Sequence, residues 1–286
     1  MPEIEITAVD CHAHVFERGL PLASRRRHAP DYDALLADYL ALLDTHHISH
    51  GVLVQPSFLG TDNSYFVDAL RRYPARLRGV AMVDTDITDA ELAALDAAGV
   101  VGMRLNLVGL EWPALASPAW VQLLGRLREL KWHLEVHRDA VDLAPLLEAL
   151  LPSGCALVVD HFGRPAPGLG RADPAFKALL RTAETGRVWV KLSAAYRHAI
   201  ESGLPASERD AALAQQDAAQ ACLTASALLD AFGAERLMWG SDWPHTQHQD
   251  VVDFARSRAV LDDWVPDPVQ RRRILVDTPA ALFRFR

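Results

Sequence analysis

Eight short β-branched or apolar runs, separated by polar or amphipathic stretches, constrain the fold of this 286-residue chain more than any other feature. They cover residues 6–16, 51–56, 77–83, 100–107, 132–137, 155–161, 188–193 and 236–241. The segments between them, DYDALLADYLALLDTHH and AWVQLLGRLREL among others, carry apolar residues at the i, i+3/i+4 spacing of surface helices. Repeated strand–helix units with right-handed crossovers close a parallel barrel more naturally than they form an open sheet. An open doubly wound sheet would also want a glycine-rich phosphate turn after its first strand. The first run ends instead in Asp10-Cys11-His12-Ala13-His14. The expected fold is α/β, a (β/α)8 TIM barrel forming a single domain over residues 1–286, close to the roughly 250 residues typical of such barrels.

Composition narrows the class. Half of the residues are hydrophobic and 23% are charged, which is globular usage with material for a large core. No apolar run reaches the roughly 18 residues of a membrane span, and the first residues lack a basic segment followed by an apolar one. Three scattered cysteines form no disulfide or zinc pattern, so a soluble cytoplasmic protein is expected. A net charge of −8 argues against a nucleic-acid partner. Two segments break the alternation, residues 18–33 and 199–235, the second with an Ala-rich helix from about residue 208 to 232. Loops after strands roof the site in this fold, so both are candidate lids. For the Ala-rich helix, decoration or a contact between copies in a homo-oligomer is the simpler use.

Chemistry in such barrels sits where strands end. Alternation along a strand puts His12 and His14 on one face and turns Cys11 and Ala13 toward the helices. Two adjacent imidazoles on a barrel wall are costly to bury idle, and a divalent metal is their usual reason. The fifth run ends in Glu135-Val136-His137, the sixth in Asp160-His161, and the eighth in Gly240-Ser241-Asp242-Trp243-Pro244-His245. Four histidines and an aspartate on four strands thus converge on one mouth.

These residues, with the strings VDCHAHVF, VLVQPSFLGTDN, GMRLNLV, WHLEVH, VVDHFGRP, VWVKLSAAYR, LMWGSDWPH and DTPAALFRF, carry a resemblance over essentially the whole chain. The sequence resembles the amidohydrolase superfamily of metal-dependent barrel hydrolases, in its lactonase branch around 2-pyrone-4,6-dicarboxylate lactonase. The resemblance implies that His12, His14, His161 and Asp242 form the centre at which a lactone is hydrolysed. Asp242 would act as general base toward water, with the histidines polarising the carbonyl directly or through a metal. It further implies that Arg104 and Arg197 clamp the carboxylate of a small anionic substrate, a task suited to guanidinium forks. The branch's tyrosines at the end of strand five and in the first lid are replaced here by His137 and His28, with Tyr32 nearby. The dicarboxylate lactonase works without a metal, whereas metal-using relatives have a histidine on strand five. His137 therefore points to one divalent ion, zinc, on His12, His14, His137 and Asp242, with His161 as acid or carbonyl polariser; a metal-free mechanism is the alternative.

Further candidates surround this centre. Asn106 shares the face of Arg104; Gln55, Ser57 and Asn63 offer amide or hydroxyl groups after strand two; His245 lines the mouth or caps its loop. Lys191, with Ser193 on the same face, pairs with Glu135 or Asp160 more readily than it acts as a base. Trp243 is a candidate wall of the site. Arg25–Arg27 reads as a solvated lid surface, and His46, His47 and His50 as caps of the first helix. The expected activity is opening of a carboxylated lactone, either 2-pyrone-4,6-dicarboxylate-like or derived from a sugar acid. A mononuclear-metal decarboxylase and a lactone isomerase of the same superfamily are the alternatives, ahead of a barrel that only binds.

Overall fold

The structure, a computed structural model, describes residues 4–197 and 211–286. Eight parallel strands follow in chain order: β1 (Val9–Ala13), β2 (His50–Val54), β3 (Leu77–Ala81), β4 (Val100–Asn106), β5 (His133–His137), β6 (Leu157–Val159), β7 (Val188–Leu192) and β8 (Leu237–Trp239). Each pairs with the next, and the ends of the sheet meet. The His14 N–H donates to the Trp243 carbonyl and the Asp242 N–H to the His12 carbonyl, both at 2.8 Å. Asp10 adds a side-chain tie across the same seam. Its carboxylate accepts the Ser241 N–H at 2.8 Å, the Ser241 hydroxyl at 2.6 Å and the Tyr39 hydroxyl at 3.1 Å. The expected barrel is the observed one.

Helices α1 (Leu36–Thr45), α2 (Ser64–Arg72), α3 (Asp89–Ala97), α4 (Pro118–Glu129), α5 (Ala140–Leu150), α6 (Pro174–Arg181), α7 (Ala211–Phe232) and α8 (Phe254–Trp264) alternate with or follow the strands. Local sequence starts several of them. Thr88 and Glu91 form a reciprocal capping box on α3, and the Asp173 carboxylate accepts the Ala175 N–H at the start of α6. Outward strand residues such as Leu134, Val136, Leu157, Val159, Val190 and Leu192 pack under the helices. Inward residues Val9, Cys11, Val52, Val54, Val80, Val101, Val158 and Met238 form a separate cluster, joined by Phe283 and Phe285 from the C-terminal segment. This apolar cluster fills one end of the barrel and leaves the carboxyl ends of the strands to polar side chains.

Cys11 departs from expectation. The β1–β2 register shifts between Asp10 and Ala13, and a bulge there lets two consecutive residues face the same way. Cys11 therefore joins the interior cluster rather than facing the helices, while His12 still points inward. Two other readings change. His50 opens β2 and is buried with its ring 4.7 Å from that of Phe285, so it caps no helix. Trp243 stacks on Tyr39 of α1, with ring centroids 5.5 Å apart, and packs the outer layer instead of walling the site.

The first candidate lid is an irregular loop closed at its base by Phe16 and Ala34, which exchange backbone hydrogen bonds at 2.9 and 2.8 Å. Of the second, residues 199–210 lie outside the described residues, and α7 occupies most of the rest, packed on α6 and α8. Among the described residues no helix is long and apolar enough to cross a membrane.

Candidate active site

Strand ends bring the chemistry together. Asp242 follows β8, and its Oδ1 lies 3.7 Å from His12 Nε2, 3.8 Å from His161 Nε2 and 3.9 Å from His14 Nε2. These gaps are too long for direct hydrogen bonds and leave room for a reacting atom between the groups. His161 (φ 53°), Asp242 (φ 61°) and His245 (φ 58°) all adopt the left-handed region. Non-glycine residues hold that conformation at a cost of about 1–3 kcal/mol each, and such strain gathers at functional sites.

The two oxygens of Asp242 have different surroundings. Oδ2 accepts the Tyr196 hydroxyl at 2.5 Å and two Arg197 nitrogens at 2.8 Å, whereas Oδ1 faces the imidazoles. Burial alone would push the carboxyl up, but the Arg197 guanidinium reverses this and holds Asp242 well below the usual carboxylate range. Burial also lowers the imidazoles, His14 to about 4 and His12, His137 and His161 well below the ordinary value, so all four are neutral near pH 7. His14 Nδ1 lies 2.7 Å from the Val54 carbonyl, an acceptor only. Its hydrogen is therefore on Nδ1 and its lone pair on Nε2. His161 Nδ1 meets the Ser193 hydroxyl at 2.8 Å.

Beneath the histidines lies a buried ionic layer. Lys191 Nζ donates to Glu135 and lies 3.4 Å from Asp160, bearing out its pairing role with both carboxylates at once. Burial acts to raise Glu135 and Asp160, and the Lys191 ammonium helps hold both below the usual range. Arg104, expected at the mouth, is only 4% exposed and belongs to this layer. It reaches the Gln55 carbonyl at 3.2 Å, Asp160 at 3.4 Å and His137 Nδ1 at 3.5 Å.

The remaining candidates divide. Arg197 stands over Asp242 at the mouth. Arg27 does not face solvent alone: from the first lid it donates to Asn106 Oδ1 at 3.4 Å, which brings a guanidinium to the end of β4. His28 packs on Phe58 with centroids 5.1 Å apart, and among the described residues its buried Nε2 has no hydrogen-bond partner. His245 is buried beside Tyr196, its Nδ1 3.4 Å from the hydroxyl, and burial lowers it to about 4. Asn63 is engaged by the backbone. Its amide donates to the Thr61 and Met82 carbonyls and accepts the Met82 N–H, which spends it on the backbone. Gln55 is similarly committed to Gly60 and Asp62. Tyr196 escaped the sequence reading; its one signal was its place beside Arg197 in the loop after β7.

The donor atoms of His12, His14 and Asp242 lie within 4.8 Å of one another, as do those of His12, Asp160 and His161. Neutral imidazoles and a carboxylate at this spacing suit a divalent ion, so the site carries a candidate metal-binding group. His137 stands outside both groups, with its ring 4.8 Å from that of His161. Of the four expected ligands, His12, His14 and Asp242 meet this spacing, while the His137 ring lies against Arg104 and His161.

A barrel with a His/Asp centre at the carboxyl ends of its strands is the architecture of a hydrolytic barrel enzyme. The chain belongs to the amidohydrolase family, whose description matches residues 9–285. It is 33% identical to a 4-sulfomuconolactone hydrolase of Rhizobium radiobacter, over 96% of this chain and 89% of that protein. It is 32% identical to a 2-pyrone-4,6-dicarboxylate hydrolase of Comamonas testosteroni, over 96% and 90%. A crystal structure from Pseudomonas putida, assigned to the 2-pyrone-4,6-dicarboxylic acid hydrolases, superposes with a TM-score of 0.88 at 47% identity, covering 99% of both chains.

Proposed function

We propose that the protein opens a carboxylated lactone by attack of water at Asp242. The observation that carries this reading is the division of the Asp242 carboxylate: Oδ2 is saturated by Tyr196 and Arg197, and Oδ1 is left facing three imidazoles. Oδ1 and His14 Nε2, 3.9 Å apart, are both acceptors, so one water between them gives a hydrogen to each. Asp242 takes the proton as the water oxygen bonds to the ester carbonyl carbon. His12 and His161 turn Nε2 toward the same space, where charge grows on the carbonyl oxygen. Collapse breaks the ring C–O bond, and Asp242 returns the proton to the leaving oxygen. A divalent ion such as zinc, held by His12, His14 and Asp242, would supply Lewis-acid polarisation of the carbonyl.

Substrate charge follows from the guanidiniums. Arg197 on one side of the mouth and Arg27 with Asn106 on the other suit a ring with two anionic groups. The names of the two curated relatives describe such substrates, a pyrone dicarboxylate and a sulfonated muconolactone. Arg104 supports the site from below.

The test is incubation with 2-pyrone-4,6-dicarboxylate and several aldonolactones, followed by proton release before and after chelation and zinc add-back. A stable ring-opened acid is the expected product. Released carbon dioxide, or an isomerised lactone with no net proton release, would overturn the reading. Turnover that survives chelation assigns the chemistry to the side chains alone, and turnover restored by zinc assigns it to the ion-loaded site.

A further inference from the structure

Lys191 is a buried charge at the centre that the hydrolytic scheme leaves unused. Its Nζ, fully buried, has three neighbours: a Glu135 carboxylate oxygen, His12 Nδ1 at 3.1 Å and Asp160 Oδ1 at 3.4 Å. An ammonium carries three hydrogens and no lone pair. It gives a hydrogen to Glu135 and one to His12 Nδ1, with Asp160 at ion-pair distance, and the His12 nitrogen that receives one must itself carry none. Asp160 Oδ1 also lies 3.3 Å from His12 Nδ1, and Glu135 Oε1 lies 3.6 Å from it. Among the described residues neither oxygen has a hydrogen-bond partner. The competing arrangement, a His12 Nδ1–H donating to one of these carboxylates, is therefore not made.

We propose that Lys191 is a positioning residue that fixes His12 in its Nε2–H tautomer, so that His12 presents a hydrogen to the space in front of Asp242. That nitrogen is buried and has no hydrogen-bond partner among the described residues, as a donor awaiting a substrate oxygen would be. His14, with its ring centroid 4.9 Å away, is set the opposite way, because its Nδ1–H is spent on the Val54 carbonyl. Adjacent rings of the His-x-His pair thus have opposite polarity. His12 donates toward the carbonyl oxygen and His14 accepts from the water. The same device bears on metal binding. For His12 Nε2 to ligate an ion its hydrogen must move to Nδ1, where it would face the Lys191 ammonium. Lys191 therefore weakens the affinity of this site for a divalent ion.

The roles of carbonyl and water rest on the hydrolase reading; the tautomer does not, and the experiment separates them. The full-length protein labelled with 15N-histidine is examined by long-range 1H–15N correlation, with the His12 signals identified by their loss in His12→Gln. The expected pattern is a protonated Nε2 and an unprotonated Nδ1, and the reverse pattern overturns the proposal. Lys191→Met combined with Glu135→Gln removes one charge of each sign and leaves Asp160 to accept from Nδ1. In that variant the His12 pattern should invert, and zinc, titrated alone against a competing chelator, should bind at least about tenfold more tightly. A folded variant with unchanged His12 shifts and zinc affinity overturns the proposal, and if the variant does not fold the wild-type spectrum decides alone. An Nε2–H His12 in a protein that hydrolyses no lactone would sink the hydrolase reading and leave the tautomer assignment standing.

Discussion

At Asp242 one carboxylate serves two tasks, and substitutions there and beneath it separate catalysis from stability. Asp242→Asn keeps the shape but loses the basic oxygen that would take a proton from water. Its kcat should fall by at least about 10²-fold with substrate binding nearly intact. A variant retaining more than a few per cent of wild-type kcat would show that the base lies elsewhere. Arg104→Met tests the ionic layer. Arg104 is buried against Asp160 and 3.9 Å from Glu135, so its loss strands carboxylates in the interior. Denaturant unfolding should show a loss of about 3–5 kcal/mol, the usual consequence of breaking a buried pair from one side. An unchanged unfolding midpoint with a raised KM would return Arg104 to the mouth as a substrate clamp.

Among the elements, the seam between β1 and β8 decides where the first two histidines point. Gly240, just past β8, lies against β1 so closely that an added Cβ would sit 2.7 Å from His12 Cβ and 3.0 Å from its backbone nitrogen. Backbone cannot move aside as a flexible side-chain end can. Gly240→Ala should therefore lower kcat at least about tenfold and destabilise by about 1–3 kcal/mol, read from paired kinetics and thermal melts. Wild-type values in both would mean that the seam tolerates a shift of His12. Strand β1 also marks the limit of what was legible in the sequence. All eight strands and the convergence of His12, His14, His161 and Asp242 could be read because alternation and strand-end position are local properties. The inward turn of Cys11 could not, because it comes from a register shift of β1 against β2, and pairing between strands separated by a helix is not a local property. Arg27 read as solvated because its partner Asn106 lies 79 residues away. Tyr196 was missed because strand alternation no longer predicts direction in the loop beyond β7.

Over the whole molecule, the histidines set the response to acid. Eight of the twelve, His12, His14, His28, His50, His133, His137, His161 and His245, are held by burial below their ordinary value. A histidine with a depressed folded pKa takes up a proton on unfolding at any pH between its folded and unfolded values. Its contribution to stability is whole above about 6.5, the unfolded value, and is lost progressively below it. For His14, His50 and His245 the loss continues down to about 4. Asp10, raised by burial to about 6, acts in the opposite sense. Its protonation begins in the folded state first, so acidification between about 6 and 4 favours the fold. It is one group against eight. Asp242, Glu135 and Asp160 are held below the usual carboxylate range, so their contribution is lost only at still lower pH. The thermal midpoint should therefore stay level between pH 8 and 7 and fall by more than about 5 °C by pH 5.5. A midpoint unchanged across that interval would mean that these rings titrate in the folded barrel as they do in the unfolded chain. His14 would then gain a proton just below neutral pH, and its lone pair would be withdrawn from the water over the range in which the proposed centre has to keep it.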